Sequence, residues 1–600
     1  MKLKASISMA ALGAALLMAG AVQAQSYDRV VVFGDSLSDV GNLPPANQPP
    51  SPPYFGGRFS NGQVWIERLG FTVGGATGVS GSRSFAFGGA WTANGGLTPT
   101  LAQQIAMYGG SGGTLGGGDL VILWGGANDI FGGVGPASVT ANPFATISAS
   151  AQVAAANMGA HINSVANAGA GTILVANLPN LGATPQFNSG PGLAAQGIVV
   201  QATSAFNAAL FAQAQAQAAA HPNTNVIYMD VDRAYQTLLA APSAFGLTNV
   251  SQACFNGVTV CTGADGYLFW DGVHPTAAGH ALLAQVADGY LYYGDDGAQT
   301  TLQGETGLRR RSEALDDALD RLSTREFGPE GWALVFDLHH DMADYDARGP
   351  VFEAETETTG LTIAVEGRRA SGMRYGVAFT TDDSDVQVGP VSFNAANVGF
   401  DVYGGWNSGS LFVDAAAGWS SDSYDGIERI TALAPIVTEG RTEGSTLGAK
   451  VQAGFNMPMG GLTVSPRAGL SWVRTSVDGY SEQGPAVALH QYDDREISAT
   501  SGEVAVRLTA GMGERASAVF DLGYRDSLSY DDDGVRVRIA GNTAQPITNM
   551  IEEAEGGQTF VGLAIEGEVA QGWTWSIGYR GRYADGMESQ TARIGMGLRF

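Results

Sequence analysis

From Gly331 to Phe600 apolar and polar residues alternate with a period of two, which suits a strand with two unlike faces and cannot serve a helix. Segments 332–338, 361–366, 398–406, 411–419, 447–455, 462–472, 519–524 and 573–579 set apolar or aromatic residues against Gly, polar or charged ones. A soluble β-sandwich would alternate as well. Here, however, many segments run near ten residues with aromatics at their ends, the loops are unequal and some very acidic, and the chain finishes in an alternating strand, Ile594-Gly595-Met596-Gly597-Leu598-Arg599-Phe600. About 270 residues at roughly 22 per strand and turn give about twelve antiparallel strands. Closing them leaves no unpaired edge in lipid, so a transmembrane β-barrel is expected over 331–600.

The other end of the chain reads as an export signal. Lys2 and Lys4 precede an apolar stretch from Ile7 to Met18, and small residues end in Val22-Gln23-Ala24, which places cleavage after residue 24. A membrane-spanning anchor is the competing reading, but the stretch is shorter than the roughly 20 residues that cross a bilayer, and no later apolar run is expected to be long enough to span as a helix. A formal charge of -26 and lysines only at positions 2, 4 and 450 exclude nucleic-acid binding through basic patches. An exported chain meets an oxidising compartment, so Cys254 and Cys261 read as a small-loop disulfide; a metal would need further ligands, and none lies nearby. No organic cofactor is implied either.

Residues 25–293 have a mixed pattern. Apolar runs at 29–33, 119–124, 172–176 and 225–230 alternate with Ala-rich helical stretches at 143–168 and 194–220, which predicts an α/β domain with a parallel sheet covered on both faces. Residues 294–330 are expected to join the two domains. The stretch 293–304, polar and Gly-rich, reads as a linker. After it Leu308, Leu315, Leu319 and Leu322 fall on one side of a helix whose other positions carry Arg309, Arg310, Arg311, Asp316, Asp317 and Asp320. Such a helix, from about Glu305 to Leu322, suits a polar barrel lumen; an ordinary interdomain helix is the alternative.

The reactive residues are sought where strands end. Val30-Val31-Val32-Phe33 leads into Gly34-Asp35-Ser36-Leu37-Ser38-Asp39-Val40-Gly41-Asn42, which sets the Ser36 hydroxyl at the carboxyl edge of the sheet with backbone N–H groups beside it. Ser38 occupies the place of the second glycine of a G-x-S-x-G elbow, so this is a different nucleophile turn. Asp35, Asp39 and Asn42 are expected to brace the turn rather than react. Three further blocks follow: Ser84-Phe85-Ala86-Phe87-Gly88-Gly89-Ala90, Gly125-Gly126-Ala127-Asn128-Asp129, and Asp271-Gly272-Val273-His274-Pro275. The last can present a base and its orienting carboxylate from one short turn. His280, beyond it, is expected to be structural.

These four blocks, in this order, resemble the GDSL/SGNH family of serine esterases and lipases. The resemblance implies a flavodoxin-like three-layer α/β fold, with Ser36, Asp271 and His274 as catalytic residues and an oxyanion hole formed by Ser36 N–H, Gly89 N–H (Gly88 being its nearest rival) and Asn128. Ser84 departs from the Asn that many relatives carry at the start of the second block. Signal segment, passenger, helix and barrel together resemble the monomeric autotransporters of Gram-negative bacteria. That resemblance implies a helix threading the lumen, a passenger on the cell surface, outer-membrane lipid around the barrel, and recognition of the final strand by barrel-assembly machinery. The expected activity is hydrolysis of carboxylic or lipid esters; a catalytically silent adhesin and a porin with an incidental domain are the other classes weighed.

Overall fold

In the computed structural model, residues 27–323, 330–570 and 572–600 are described. The signal segment at 1–24 lies outside them. Five parallel strands form the sheet of the first domain: β1 (Arg29–Gly34), β2 (Arg83–Ser84), β3 (Asp119–Trp124), β4 (Thr172–Ala176) and β5 (Asn225–Met229), in spatial order β2-β1-β3-β4-β5. This is the flavodoxin-like order. The four strands expected from apolar runs are present within a residue, because a strand buried on both faces must be apolar throughout, and β3 and β4 are buried at every position. β2, two residues long, carried no such signal.

Helices Leu101–Gly110, Pro143–Asn167, Gln196–Ala220 and Ala277–Leu291 flank the sheet. One expectation is corrected here. The helical run Gly190–Ala220 has the length and hydropathy of a membrane span. It nevertheless buries Val199, Ala202, Phe206, Leu210 and Ala214 in the same core as the sheet, and so serves as a layer of the α/β domain.

The barrel is a closed antiparallel sheet of twelve long strands, from Gly331–Tyr345 to Met587–Arg599; the thirteenth member of the sheet, Met457–Met459, is a short extension beside Leu462–Val477. Closure comes from pairing of the first and last strands, Tyr345 with Met587 through Ala333 with Arg599. The faces decide between barrel and sandwich. Along Val391–Ser408 and Leu411–Ile430, Val398, Phe400, Val402, Trp406, Val413 and Trp419 point outward and are exposed, while Asn397, Asp401, Asp414, Ser420 and Asp422 are buried. A sandwich would bury the apolar row; only lipid makes this inversion favourable.

The helix Thr301–Ser323 fills the lumen. Arg309 pairs with Asp341 and Arg311 with Asp401; Lys450 bridges Asp316 and Glu503, both at 2.7 Å, and Arg525 also reaches Asp316 at 2.7 Å. Leu315, Leu319 and Leu322 pack on Ala364, Ala378, Tyr403 and Ala416 of the wall. Buried ions are tolerated there because each meets a counter-charge. The stretch read as a linker is instead helical, as Tyr293–Ala298 and the start of the plug helix. Its glycines permit close packing: a Cβ on Gly297 would lie 2.7 Å from Val537, and one on Gly304 would lie 2.6 Å from Ile497.

Loops at one end of the barrel form a second sheet, Tyr480–Ser481, His490–Tyr492, Val535–Ile539 and Ile547–Asn549. It packs on the edge strand β5. Asn542 Nδ2 donates to Tyr228 O (2.7 Å), the Tyr228 N–H donates to Asn542 Oδ1 (3.1 Å), and the Gln545 N–H donates to Asn225 Oδ1 (2.8 Å). These contacts cover an edge that would otherwise offer unpaired peptide groups.

Candidate active site

The candidate nucleophile follows directly on β1. The end of that strand is clamped by Gln104, whose Oε1 accepts from the Gly34 N–H and whose Nε2 donates to Gly34 O, each at 2.9 Å. Asp35 Oδ1 accepts from the Leu37 N–H (3.1 Å) and closes the turn; burial pushes its carboxyl up to about 6. Ser36 is largely buried, 9 % exposed.

His274 comes from the loop between the short strand Tyr267–Phe269 and the helix Ala277–Leu291, which Thr276 caps by accepting from the Gly279 N–H. Its Nε2 lies 2.8 Å from Ser36 Oγ, although 238 residues separate the two. Its Nδ1 lies 2.8 Å from Asp271 Oδ2 and 2.9 Å from Oδ1. Asp271 Oδ1 also accepts from the N–H groups of Val273 (3.0 Å) and His274 (2.8 Å). Burial raises the Asp271 carboxyl, but the His274 imidazole and these donors outweigh it and hold the group at about 2. A carboxylate that stays charged favours the tautomer with its proton on Nδ1, leaving Nε2 as the acceptor facing the hydroxyl.

The second and third blocks border the same place. The Gly88 N–H donates to Asp39 Oδ2 (2.8 Å), whereas the Gly89 N–H makes no hydrogen bond to the described residues. Gly89 adopts a φ of +76°, which turns its peptide out of the chain direction. At Gly88 a Cβ would sit 2.2 Å from the Phe59 ring, which itself packs 5.1 Å from the His274 ring. Asn128 Nδ2 donates to Ala90 O (3.0 Å), and an amide nitrogen has a second proton to give. Its neighbour Asp129 accepts from the N–H (2.9 Å) and hydroxyl (2.7 Å) of Thr92, tying the third block to the segment just after the second.

The bracing residues behave as short polar side chains in turns do. Asp39 accepts from the N–H groups of Gly41, Asn42 and Gly88; Asn42 Nδ2 donates to Ser84 O (2.9 Å) and Ala86 O (2.7 Å). Ser84, where many relatives carry Asn, donates its hydroxyl to Ser38 O at 2.7 Å, so the departure keeps a tie to the nucleophile turn. His280 is buried and accepts from the Trp65 N–H (3.3 Å); burial drives its imidazole down to about 3, away from a proton-carrying role. Cys254 and Cys261 are joined as a disulfide.

Sequence reasoning missed two contributors. Gln104 carries no motif, and its clamp on Gly34 needs the tertiary fold to be seen. Tyr54, at the end of the proline-rich segment, donates its hydroxyl to Asp271 Oδ2 at 2.8 Å.

Two known protein families match the chain. The GDSL-like Lipase/Acylhydrolase family matches residues 30–287, and the Autotransporter beta-domain family matches residues 337–580. The chain is 26 % identical over 640 residues to Esterase EstA of Pseudomonas aeruginosa, covering 92 % of this chain and 93 % of that protein. It is 28 % identical over 338 residues to Phosphatidylcholine-sterol acyltransferase of Aeromonas hydrophila, covering 46 % of this chain and 94 % of that protein. Among solved structures, the translocator domain of autotransporter NalP from Neisseria meningitidis aligns over 50 % of this chain and all of its own, at 16 % identity and a TM-score of 0.44. The chain carries a GDSL-like lipase/acylhydrolase domain, which makes it a serine ester hydrolase, on an autotransporter β-domain of the outer membrane with its passenger exposed at the cell surface.

Proposed function

We propose that Ser36, His274 and Asp271 act as nucleophile, base and orienting carboxylate, and that hydrolysis passes through an acyl-enzyme. The Ser36 oxygen attacks the ester carbonyl as its proton moves to His274 Nε2; the carbonyl oxygen becomes an anion held by the N–H groups of Ser36 and Gly89 and by the second amide proton of Asn128. The imidazolium then gives its proton to the departing alkoxide, and water, activated by the same nitrogen, releases the acid. Asp271 stays ionised throughout and stabilises the imidazolium. The observation that carries the reading is the unbroken chain of contacts from Asp271 through His274 to Ser36 Oγ, with both links at 2.8 Å.

The substrates are carboxylic esters, including lipid esters, with short to medium acyl chains. The hydrolase unit spans 25–293, the connector 294–330 and the barrel 331–600, which acts in export and anchoring as a monomer whose final strand is engaged by assembly machinery.

A fluorophosphonate tests the covalent step. Incubation of the purified protein followed by peptide mapping is expected to give one adduct, on Ser36, with activity falling in proportion to labelling. An adduct elsewhere that silences the enzyme would refute the assignment. The oxyanion donor has its own signature: Asn128→Ala lowers kcat by about 10² to 10³-fold while KM changes little, because the lost bond forms to the charge of the transition state. A raised KM with kcat unchanged would assign Asn128 to substrate binding instead.

A further inference from the structure

We infer that Tyr54 is a positioning residue for the proposed Asp271–His274 pair: its hydroxyl fixes the carboxylate from outside the turn that carries it. The inference rests on the assignment of Asp271 and His274 proposed above. Among the described residues, the other donors to Asp271 belong to its own turn. The N–H groups of Val273 and His274 bind Oδ1, and the imidazole lies across both oxygens; Oδ2 has the Tyr54 hydroxyl, at 2.8 Å and 217 residues away. The backbone donors sit on one oxygen alone and leave the other free to move with the imidazole. A donor on the other oxygen removes the freedom and aims Oδ2 at Nδ1.

The hydroxyl is itself held in place. The Tyr54 ring meets Phe255 and Trp270 edge-on, at centroid distances of 5.7 and 6.1 Å, and those two rings stack on each other at 5.8 Å. Phe255 follows the disulfide-bonded Cys254, and its N–H donates to Trp270 O (2.6 Å), while the Trp270 N–H donates to His274 O (2.7 Å). The shelf beneath Tyr54 is therefore tied to the backbone of the reactive turn. On the other side, prolines 44, 45, 49, 50, 52 and 53 precede Tyr54 and restrict its unfolded states, and Ser60 donates its hydroxyl to Pro275 O at 2.9 Å. Burial and the nearby carboxylate push the phenol up, so it remains a donor across the working range.

Tyr54→Phe keeps the ring on its shelf and removes the bond. It is expected to lower kcat about tenfold with KM within about twofold, the size of one hydrogen bond to a charged group. Because the effect runs through Asp271, the same change made on Asp271→Asn adds no further loss, whereas two independent structural defects would multiply. Incorporation of difluorotyrosine at position 54 keeps the shape of the ring but lets the hydroxyl ionise at lower pH. That protein is expected to lose kcat on the alkaline side where the wild type does not. Unchanged kcat in Tyr54→Phe, multiplying losses in the cycle, or an alkaline profile superimposable on the wild type would each overturn the inference. An Asp271→Asn protein that stays fully active would instead overturn the underlying site assignment.

Discussion

Replacing Ser36 with alanine is expected to lower kcat for ester hydrolysis by about a millionfold, the loss seen when a serine protease is stripped of its nucleophile. The structure gives the reason the loss falls on chemistry alone. The Ser36 hydroxyl bonds His274 Nε2, and the turn that carries it is fastened by other groups: Asp35 on the Leu37 N–H, Gln104 on Gly34, and Ser84 on Ser38. Deleting one oxygen leaves these bonds and the sheet untouched, so melting of the passenger and its display on cells should match the wild type. The measurement is hydrolysis of a chromogenic ester by purified protein and by whole cells, with surface protease treatment to confirm display. Activity within about a hundredfold of wild type in Ser36→Ala would mean that another group attacks. Absence of hydrolysis in both proteins, with normal display, would turn the chain into a silent surface module.

How much of this could be read from residues alone depends on whether the signal is local. Strands β1, β3, β4 and β5 announce themselves because burial on both faces forces continuous apolar runs. The barrel does so because lipid requires an apolar row on one side of every strand, and Trp406 and Trp419 sit in such rows. Ser36 and His274 are legible as members of motif blocks. Their meeting is not, since it depends on the loop after Phe269 crossing to the end of β1. Tyr54 was hidden for the opposite reason: nothing near it in the chain is unusual except proline, and its partner is remote. The connector misled because Gly294, Gly297 and Gly304 read as flexibility, whereas in the fold they let a helix approach Ile547, Val537 and Ile497 closely. The sheet that packs on β5 was concealed in short loop segments, among them Val535–Ile539, whose alternation is too brief to separate from irregular loop.

Asp271→Asn should cost about 10⁴-fold in kcat, and the hydrogen bonds around it say why an isosteric change does so much. The N–H groups of Val273 and His274 both point at Oδ1, so an asparagine must keep its carbonyl oxygen there and turn its Nδ2 toward the place of Oδ2. That nitrogen donates, and at 2.8 Å it competes with the carbonyl oxygen at 2.9 Å for His274 Nδ1 and favours the tautomer in which Nδ1 accepts. The ring proton moves to Nε2, and a protonated Nε2 cannot take the proton of Ser36 Oγ. The Tyr54 hydroxyl, donating to the same position, meets a second donor and loses its acceptor. Since Asp271 holds its charge down to about pH 2, no pH in an ordinary assay gives the wild type the same defect, and the gap between the two proteins should persist across neutral pH. Asp271→Ala offers the contrast: it removes the carboxylate without imposing a donor, so the imidazole can again place its proton on either nitrogen, and the Ala protein should be more active than the Asn protein. Equal or reversed activities would show that the carboxylate acts through its charge on the imidazolium, with the choice of tautomer playing no measurable part.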